Sequence, residues 1–215
     1  MSKTLLINEI FFSIQGESTY AGRPCVFVRL AVCDLRCAWC DTEYAFYEGT
    51  RMDLDEILVQ TNRFPASLVE VTGGEPLLQK NVHGLIRRLL DTGKEVLIET
   101  GGHIDIAPVD SRAVLIYDIK CPDSGMSDRN RWTNLELLRP QDEVKFVLAS
   151  RRDYDWARTV LENHGLADSR TVIFSPVWGA LEPSRLADWV LSDGLPVRVQ
   201  VQLHKVLWGP SARGV

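Results

Sequence analysis

The sequence predicts an α/β fold: a small, incomplete (β/α) barrel with parallel strands and trimmed helices, in one domain spanning residues 1–215. Three observations carry this. Short β-branched and apolar runs alternate with helix-period segments, the pattern of a parallel sheet with helices packed outside, which right-handed crossovers curl toward a barrel. Seven such runs in 215 residues leave no room for eight complete strand and helix units. The unusual polar residues fall at the C-terminal ends of the runs, the rim on which barrels build their sites.

Along the chain, the strand runs are residues 25–32, 68–72, 95–100, 114–119, 143–148, 171–175 and 197–203, each of strand length and composition. Helix-period segments are 53–63, 81–92, 153–163 and 183–192. Asp53, with Glu56 three residues on, can cap the first; Gly93 and Gly165 stand where the second and third would stop; Pro183 suits the first turn of the fourth. The polar, Gly-containing loop 121–133 replaces a helix and is expected to cover the site. With 45% hydrophobic and 25% charged residues, the chain can bury one sizeable core.

Composition also narrows the partners. A formal net charge of −5 gives no general attraction to nucleic acid or anionic membrane, and Arg87-Arg88 and Arg151-Arg152 are too brief to form a basic patch. No apolar run reaches the roughly 18 residues of a membrane span. The opening MSKTLLINEIFF carries Glu9 within its apolar segment and does not read as a signal peptide. A cytoplasmic location is expected, in which clustered cysteines are reduced and serve metals more often than disulfides.

Three of the five cysteines stand within eight residues: Cys33, Cys37 and Cys40 in CDLRCAWC. On a loop after a strand they can direct three thiolates at one centre. A cubane iron–sulfur cluster takes four, so the fourth iron would stay open to an exogenous ligand. The competing reading is a zinc site completed by His83, His103, His164 or His204, although none follows at finger spacing. Cys25 and Cys121 are further candidates for a fourth ligand; Cys25 reads as a small buried hydrophobe.

The cysteine triplet, with an aromatic before its last member and Gly73-Gly74-Glu75-Pro76 one strand later, resembles the radical S-adenosylmethionine superfamily. That resemblance implies a barrel of the radical SAM type and a [4Fe–4S] cluster on Cys33, Cys37 and Cys40. It implies that S-adenosylmethionine chelates the open iron and is cleaved by one electron, giving a 5′-deoxyadenosyl radical that takes a hydrogen atom from the substrate. No catalytic side chain is assigned beyond that radical. Cofactor contacts are implied for Trp39, Gly73, Gly74, Glu75, Thr100, Lys120 and Ser175, with Lys120 and Asp118 also readable as a structural ion pair.

Narrower features are similar to the 7-carboxy-7-deazaguanine synthase family. They are the segment Phe12 to Pro24 running into Arg29, Cys40-Asp41-Thr42, Glu99-Thr100, Asp118-Ile119-Lys120-Cys121-Pro122 and Gln202-Leu203-His204-Lys205. The likeness implies a Mg2+-dependent carbon–nitrogen lyase. It contracts the ring of 6-carboxy-5,6,7,8-tetrahydropterin to 7-carboxy-7-deazaguanine, releasing ammonia, in deazapurine and queuosine biosynthesis. Substrate contacts fall on Gln15, Gly16, Glu17, Arg29, Thr72, Gly74 and His204, within an N-terminal segment 1–32 and up to a C-terminal tail 204–215. Gln15 and Glu17 suit the amide and amino edge of a pterin and Arg29 its carboxylate. Thr42 suits Mg2+, which takes few protein ligands when substrate supplies oxygens. A one-electron donor such as flavodoxin and a homodimer are implied as partners.

Two positions depart from the family pattern. Gly101-Gly102 stands where a small polar residue is expected, so a side-chain contact there becomes a backbone one. The tail from Trp208 to Val215 has no reading. The rival readings are a glycyl-radical activase and, in another class, a non-catalytic iron–sulfur or zinc-binding module.

Overall fold

The computed structural model describes residues 3–215; the first two residues of the expected domain and substrate segment lie outside the described residues. Among the described residues, the chain runs β1 (Thr4–Ile14), β2 (Pro24–Leu30), β3 (Thr50–Asp53), α1 (Leu54–Thr61), β4 (Leu68–Gly73), α2 (Val82–Asp91), β5 (Glu95–Thr100) and β6 (Val114–Ile119). It continues through β7 (Glu143–Leu148), α3 (Arg151–His164), α4 (Leu166–Ser169), β8 (Val172–Pro176), α5 (Pro183–Asp193), β9 (Arg198–Val199) and α6 (Leu203–Trp208). The strands form one sheet in the order β3-β1-β2-β4-β5-β6-β7-β8-β9. From β2 to β9 every neighbouring pair is parallel. β9 does not return to pair with β2, so the sheet is a barrel left open.

Two strands escaped the sequence reading. β1 pairs antiparallel with both β2 and β3, extending the parallel sheet by an antiparallel edge. A bulge between Ile7 and Glu9 breaks its alternation, which hid it as a strand. The bulge also has a use, because it sets Glu9 opposite Arg29.

Strand alternation divides the sheet into two faces. One carries Val26, Val28 and Leu30 of β2, Val69 and Val71 of β4, Val96 and Ile98 of β5, Leu115 and Tyr117 of β6, and Val144 and Phe146 of β7, all in the main core. Against it pack Leu54 and Ile57 of α1, Leu85, Ile86 and Leu89 of α2, Tyr154 and Ala157 of α3, and Leu186 of α5. Each buried Val, Leu, Ile or Phe side chain among these contributes roughly 1.5–3 kcal/mol. Gly165 and Pro183 punctuate α3 and α5 at the expected places. Asp53 stands at the N-cap of α1, but its side chain does not make the expected capping hydrogen bond.

The other face is apolar only toward the strand starts, where Cys25, Phe27, Leu68, Leu97, Val114 and Ile116 form a second cluster and Phe11 stacks on Phe27 at 4.8 Å. Toward the strand ends it turns polar. The expected strand 197–203 shrinks to Arg198–Val199 because the chain then leaves β8 for the loop between β1 and β2. Gln200 Nε2 donates to the Ser18 carbonyl (2.8 Å) and the Leu203 amide to the Gly16 carbonyl (2.9 Å). His204 therefore rides on α6 and not at a strand end. No helix among the described residues is long and apolar enough to cross a membrane.

Candidate active site

The strand ends open into a cavity of about 520 Å3. The cysteine loop forms one wall. It leaves β2 through Val32, whose φ of 76° is costly for a β-branched residue. Two backbone bonds hold it: the Val32 amide donates to the Ala45 carbonyl (2.7 Å), and the Val32 carbonyl accepts from the Glu75 amide (2.9 Å). Gly74 lies against this turn so closely that a Cβ would overlap the Val32 carbonyl oxygen. The second glycine of the Gly-Gly-Glu-Pro turn is thus demanded by the cysteine loop itself.

The loop is braced both by its own side chains and from outside. Ala38 donates its amide to the Ser124 carbonyl (3.0 Å), Arg36 donates to the carbonyls of Cys33 (2.7 Å) and Leu35 (2.6 Å), and Asp34 meets His103 Nε2 (2.6 Å) and Arg129 (3.0 Å). Segment 121–133 does part of this bracing and does not cover the cavity as expected; none of its residues lines it. Its 3-10 turns fold back on themselves, with the Ser124 hydroxyl donating to the Cys121 carbonyl (2.6 Å).

All three loop thiols line the cavity and are free. Burial pushes Cys33 up to about 11 and raises Cys37 and Cys40, while Lys120 opposes the rise at the latter two. Left alone the loop carries thiols, and a bound metal centre must supply the charge that ionises them. Among the described residues, no three His, Cys, Asp or Glu side chains converge where one ion could sit.

Beside the thiols, Glu75 is 1% exposed and welds the β4 turn to the end of β5. It accepts from the amides of Leu77 (3.0 Å) and Gly101 (2.7 Å) and from the Thr100 hydroxyl (2.9 Å). Burial raises its pKa and these bonds lower it. The Gly101 backbone amide is spent on this protein carboxylate. Lys120 pairs with Asp118 (2.9 Å), yet among the described residues Asp118 Oδ1 is buried without a partner. An orphaned acceptor on the cavity wall is what a ligand bearing an ammonium or hydroxyl group would satisfy. Trp39, Gly73 and Thr100 also line the cavity, whereas Ser175 does not. Ser175 is buried on the cavity face of β8 with its hydroxyl unpartnered among the described residues, and Val177 and Trp178 line the cavity beyond it.

The expected substrate residues line the same cavity. Gly16 abuts His204 so tightly that a Cβ would overlap imidazole Nδ1, and burial lowers the pKa of that imidazole. Arg29 donates through Nε to Glu9 (2.8 Å) and lies 5.6 Å over the Phe11 ring. Its two terminal nitrogens make no hydrogen bond among the described residues. The Thr42 hydroxyl donates to Asp41 (2.9 Å), whose other oxygen is held by Lys205 (2.6 Å). Burial alone would raise Asp41, but the Lys205 ammonium holds it at about 2.

Several residues at the site went unread in the sequence. Lys145, 3% exposed, bonds Glu17 (2.8 Å) and Glu99, and Glu70, 5% exposed, accepts from the Gln15 amide. A signal was present: charges at alternate positions within apolar strands, as in Leu68-Val69-Glu70-Val71-Thr72 and Glu143-Val144-Lys145-Phe146, which places them on one face. The tail, which had no reading, brings Pro210, Ala212, Arg213 and Val215 to the cavity, with the Arg213 guanidinium 3.8 Å over the Tyr44 ring.

Residues 28–111 match the Radical SAM superfamily. A 7-carboxy-7-deazaguanine synthase of Chlorobaculum tepidum is 51% identical over 214 residues, covering 98% of this chain and 97% of that protein. One of Koribacter versatilis is 46% identical over 224 residues, covering 97% and 99%. In shape, the crystal structure of QueE from Escherichia coli matches 94% of this chain and 95% of its own with a TM-score of 0.79 at 23% identity, a likeness of fold.

Proposed function

The chain belongs to the 7-carboxy-7-deazaguanine synthase family of the radical SAM superfamily, and from that premise we propose that its cavity contracts 6-carboxy-5,6,7,8-tetrahydropterin to 7-carboxy-7-deazaguanine with release of ammonia. The observation that carries this reading is one cavity lined on one side by three free thiols and on the other by Gln15, Glu17, Arg29 and His204. An activase has no use for the second set, and an electron-carrying or zinc module has no use for an open wall beside its thiols.

Cys33, Cys37 and Cys40 would hold the [4Fe–4S] cluster. Trp39, Gly73, Gly74, Glu75, Thr100 and Lys120 would hold S-adenosylmethionine, with Asp118 Oδ1, unpartnered among the described residues, giving it an acceptor; Ser175, buried on the same face, stands behind the residues that line the cavity. Together the cluster and S-adenosylmethionine supply a one-electron cleavage that yields a carbon radical able to abstract hydrogen. The chain's own residues bind and orient. Arg29 can turn its two terminal nitrogens to the substrate carboxylate in a forked, charge-assisted contact. Glu17 accepts from the N–H-bearing edge. Gly16 allows His204 to approach, and Thr72 adds a hydroxyl on the same wall. Thr42 would supply one oxygen to Mg2+ and the substrate the others.

Anaerobic reconstitution with iron and sulfide, followed by reductant, S-adenosylmethionine, Mg2+ and the pterin, should give 7-carboxy-7-deazaguanine and ammonia by mass spectrometry. Cleavage of S-adenosylmethionine without that product would overturn the substrate assignment. The same reading carries a donor such as flavodoxin and a symmetric dimer, checked by donor-dependent turnover and by sedimentation.

A further inference from the structure

Beneath the cavity, three carboxylates surround one ammonium. Lys145 Nζ donates to Glu17 Oε2 (2.8 Å) and to Glu99 Oε1. The remaining oxygens are held as well: Glu17 Oε1 by Gln202 Nε2 (2.8 Å) and Glu99 Oε2 by the Thr72 hydroxyl (3.1 Å). Glu70 is close enough for both carboxylates to act on it; burial first, then Glu99, push it up to about 8. Burial would lower Lys145, but Glu17 and Glu99 raise it, so the amine stays charged. These groups come from four places in the fold: the β1–β2 loop, β4, β5 and β7. All of them line the cavity.

A purely structural ion pair would balance its charges and fill the bonding capacity of its acceptors. This cluster does neither. Each oxygen of Glu17 and Glu99 keeps a lone pair after its single protein bond, and the excess of acceptors faces the cavity. The Gln15 amide is already committed, its nitrogen to Glu70 and its oxygen to the Glu17 amide (3.1 Å). A ligand edge rich in N–H donors is what the site lacks.

We propose that Lys145 is the positioning residue for substrate recognition: it clamps Glu17 and Glu99, carried on separate elements, into one fixed pair of acceptors for the amino and amide N–H groups of the pterin. This rests on the functional reading above and deepens it. Without the ammonium, two neighbouring carboxylates repel and each can leave its rotamer, so the pair no longer matches the donor spacing.

The test compares anaerobic holoenzyme carrying Lys145→Met or Lys145→Arg with the wild type, using 6-carboxytetrahydropterin and an analogue lacking its exocyclic amine. Lys145→Met should keep its cluster absorbance and raise KM on the order of 100-fold, the scale of truncating one partner of a buried charge pair, with a much smaller change in kcat. It should also lose the wild-type preference for the amino-bearing substrate, and Lys145→Arg should recover part of both. A folded Lys145→Met enzyme whose KM and preference stay within about twofold of wild type overturns the proposal, since a merely structural lysine would move melting temperature and not discrimination. If Lys145→Met fails to fold, Lys145→Gln, which keeps a donor but removes the charge and leaves both acceptor carboxylates in place, is read identically. Wild-type enzyme that makes no product overturns the functional reading, and this proposal with it; wild-type turnover with unchanged variants overturns this proposal alone.

Discussion

The two faces of the sheet are made by the same strands, yet they do opposite things. On the helix-packed face, Val28, Val71, Ile98, Tyr117, Phe146 and Phe174 are almost wholly buried and apolar. One residue along each strand, the cavity face carries Arg29, Thr72, Glu99, Asp118, Lys145 and Ser175. Period-two alternation lets a single set of hydrogen-bonded strands serve as core and as site, because successive side chains cannot share a face. Burying the apolar face fixes the backbone, and the charged face can then hold groups that would otherwise repel.

That comparison can be broken from either side. The largest effect should come from Cys37→Ala, which removes one of the three proposed cluster ligands on the cavity wall: iron content and turnover are lost while the melting temperature of the cluster-free protein barely moves. On the opposite face, Phe146→Ala should cost about 3–5 kcal/mol in chemical denaturation, with KM of the surviving folded enzyme unchanged. Gly74→Ala strikes where cysteine loop and sheet meet; the overlap with Val32 should cost about 1–3 kcal/mol and impair cluster assembly, measured together by denaturation and iron content. Glu17→Ala should spare the cluster and raise KM roughly 10–100-fold, the scale of a lost 1–3 kcal/mol hydrogen bond to a charged group.

The smallest effect concerns pH. Glu70 has its folded pKa raised from 4.5 to about 8, so its contribution to stability is full below 4.5 and is lost as pH rises through about 8. Glu99 runs the other way: although burial would raise it, Lys145 holds it down from 4.5 to about 2, so its contribution is present above 4.5 and fades as pH falls toward about 2. Glu70→Gln should flatten the decline of melting temperature between about 4.5 and 8 and leave the acid limb in place. An unchanged slope in that variant would show that Glu70 is not the group titrating.

Much of this was legible in advance. β4 through β8 and α1, α2, α3 and α5 lie within about two residues of their sequence expectations, because each has one dominant periodicity and clear punctuation. The cysteine loop and the Gly-Gly-Glu-Pro turn both follow their strands and border one cavity. β1 was not legible, since the bulge at Ile7 and Glu9 erased the alternation that would have marked it. Arg29 illustrates a subtler limit: either an ion pair with an acid or a substrate contact fitted its strand position. The fold supplies Glu9 for the pair and leaves the guanidinium fork facing the cavity.

By itself the sequence determined the local facts: which segments extend, which coil into helices, which loop gathers thiols, and that the polar residues end their strands on a common rim. These follow from periodicity and short-range sterics, which act within a few residues. Only the tertiary structure decided which charges meet. Lys145 reaches Glu17 across 128 residues of chain, and His204 meets Gly16 because the chain leaves β8 early. Strand order and register set those encounters, and they depend on how whole elements pack, a property that no stretch of neighbouring residues contains.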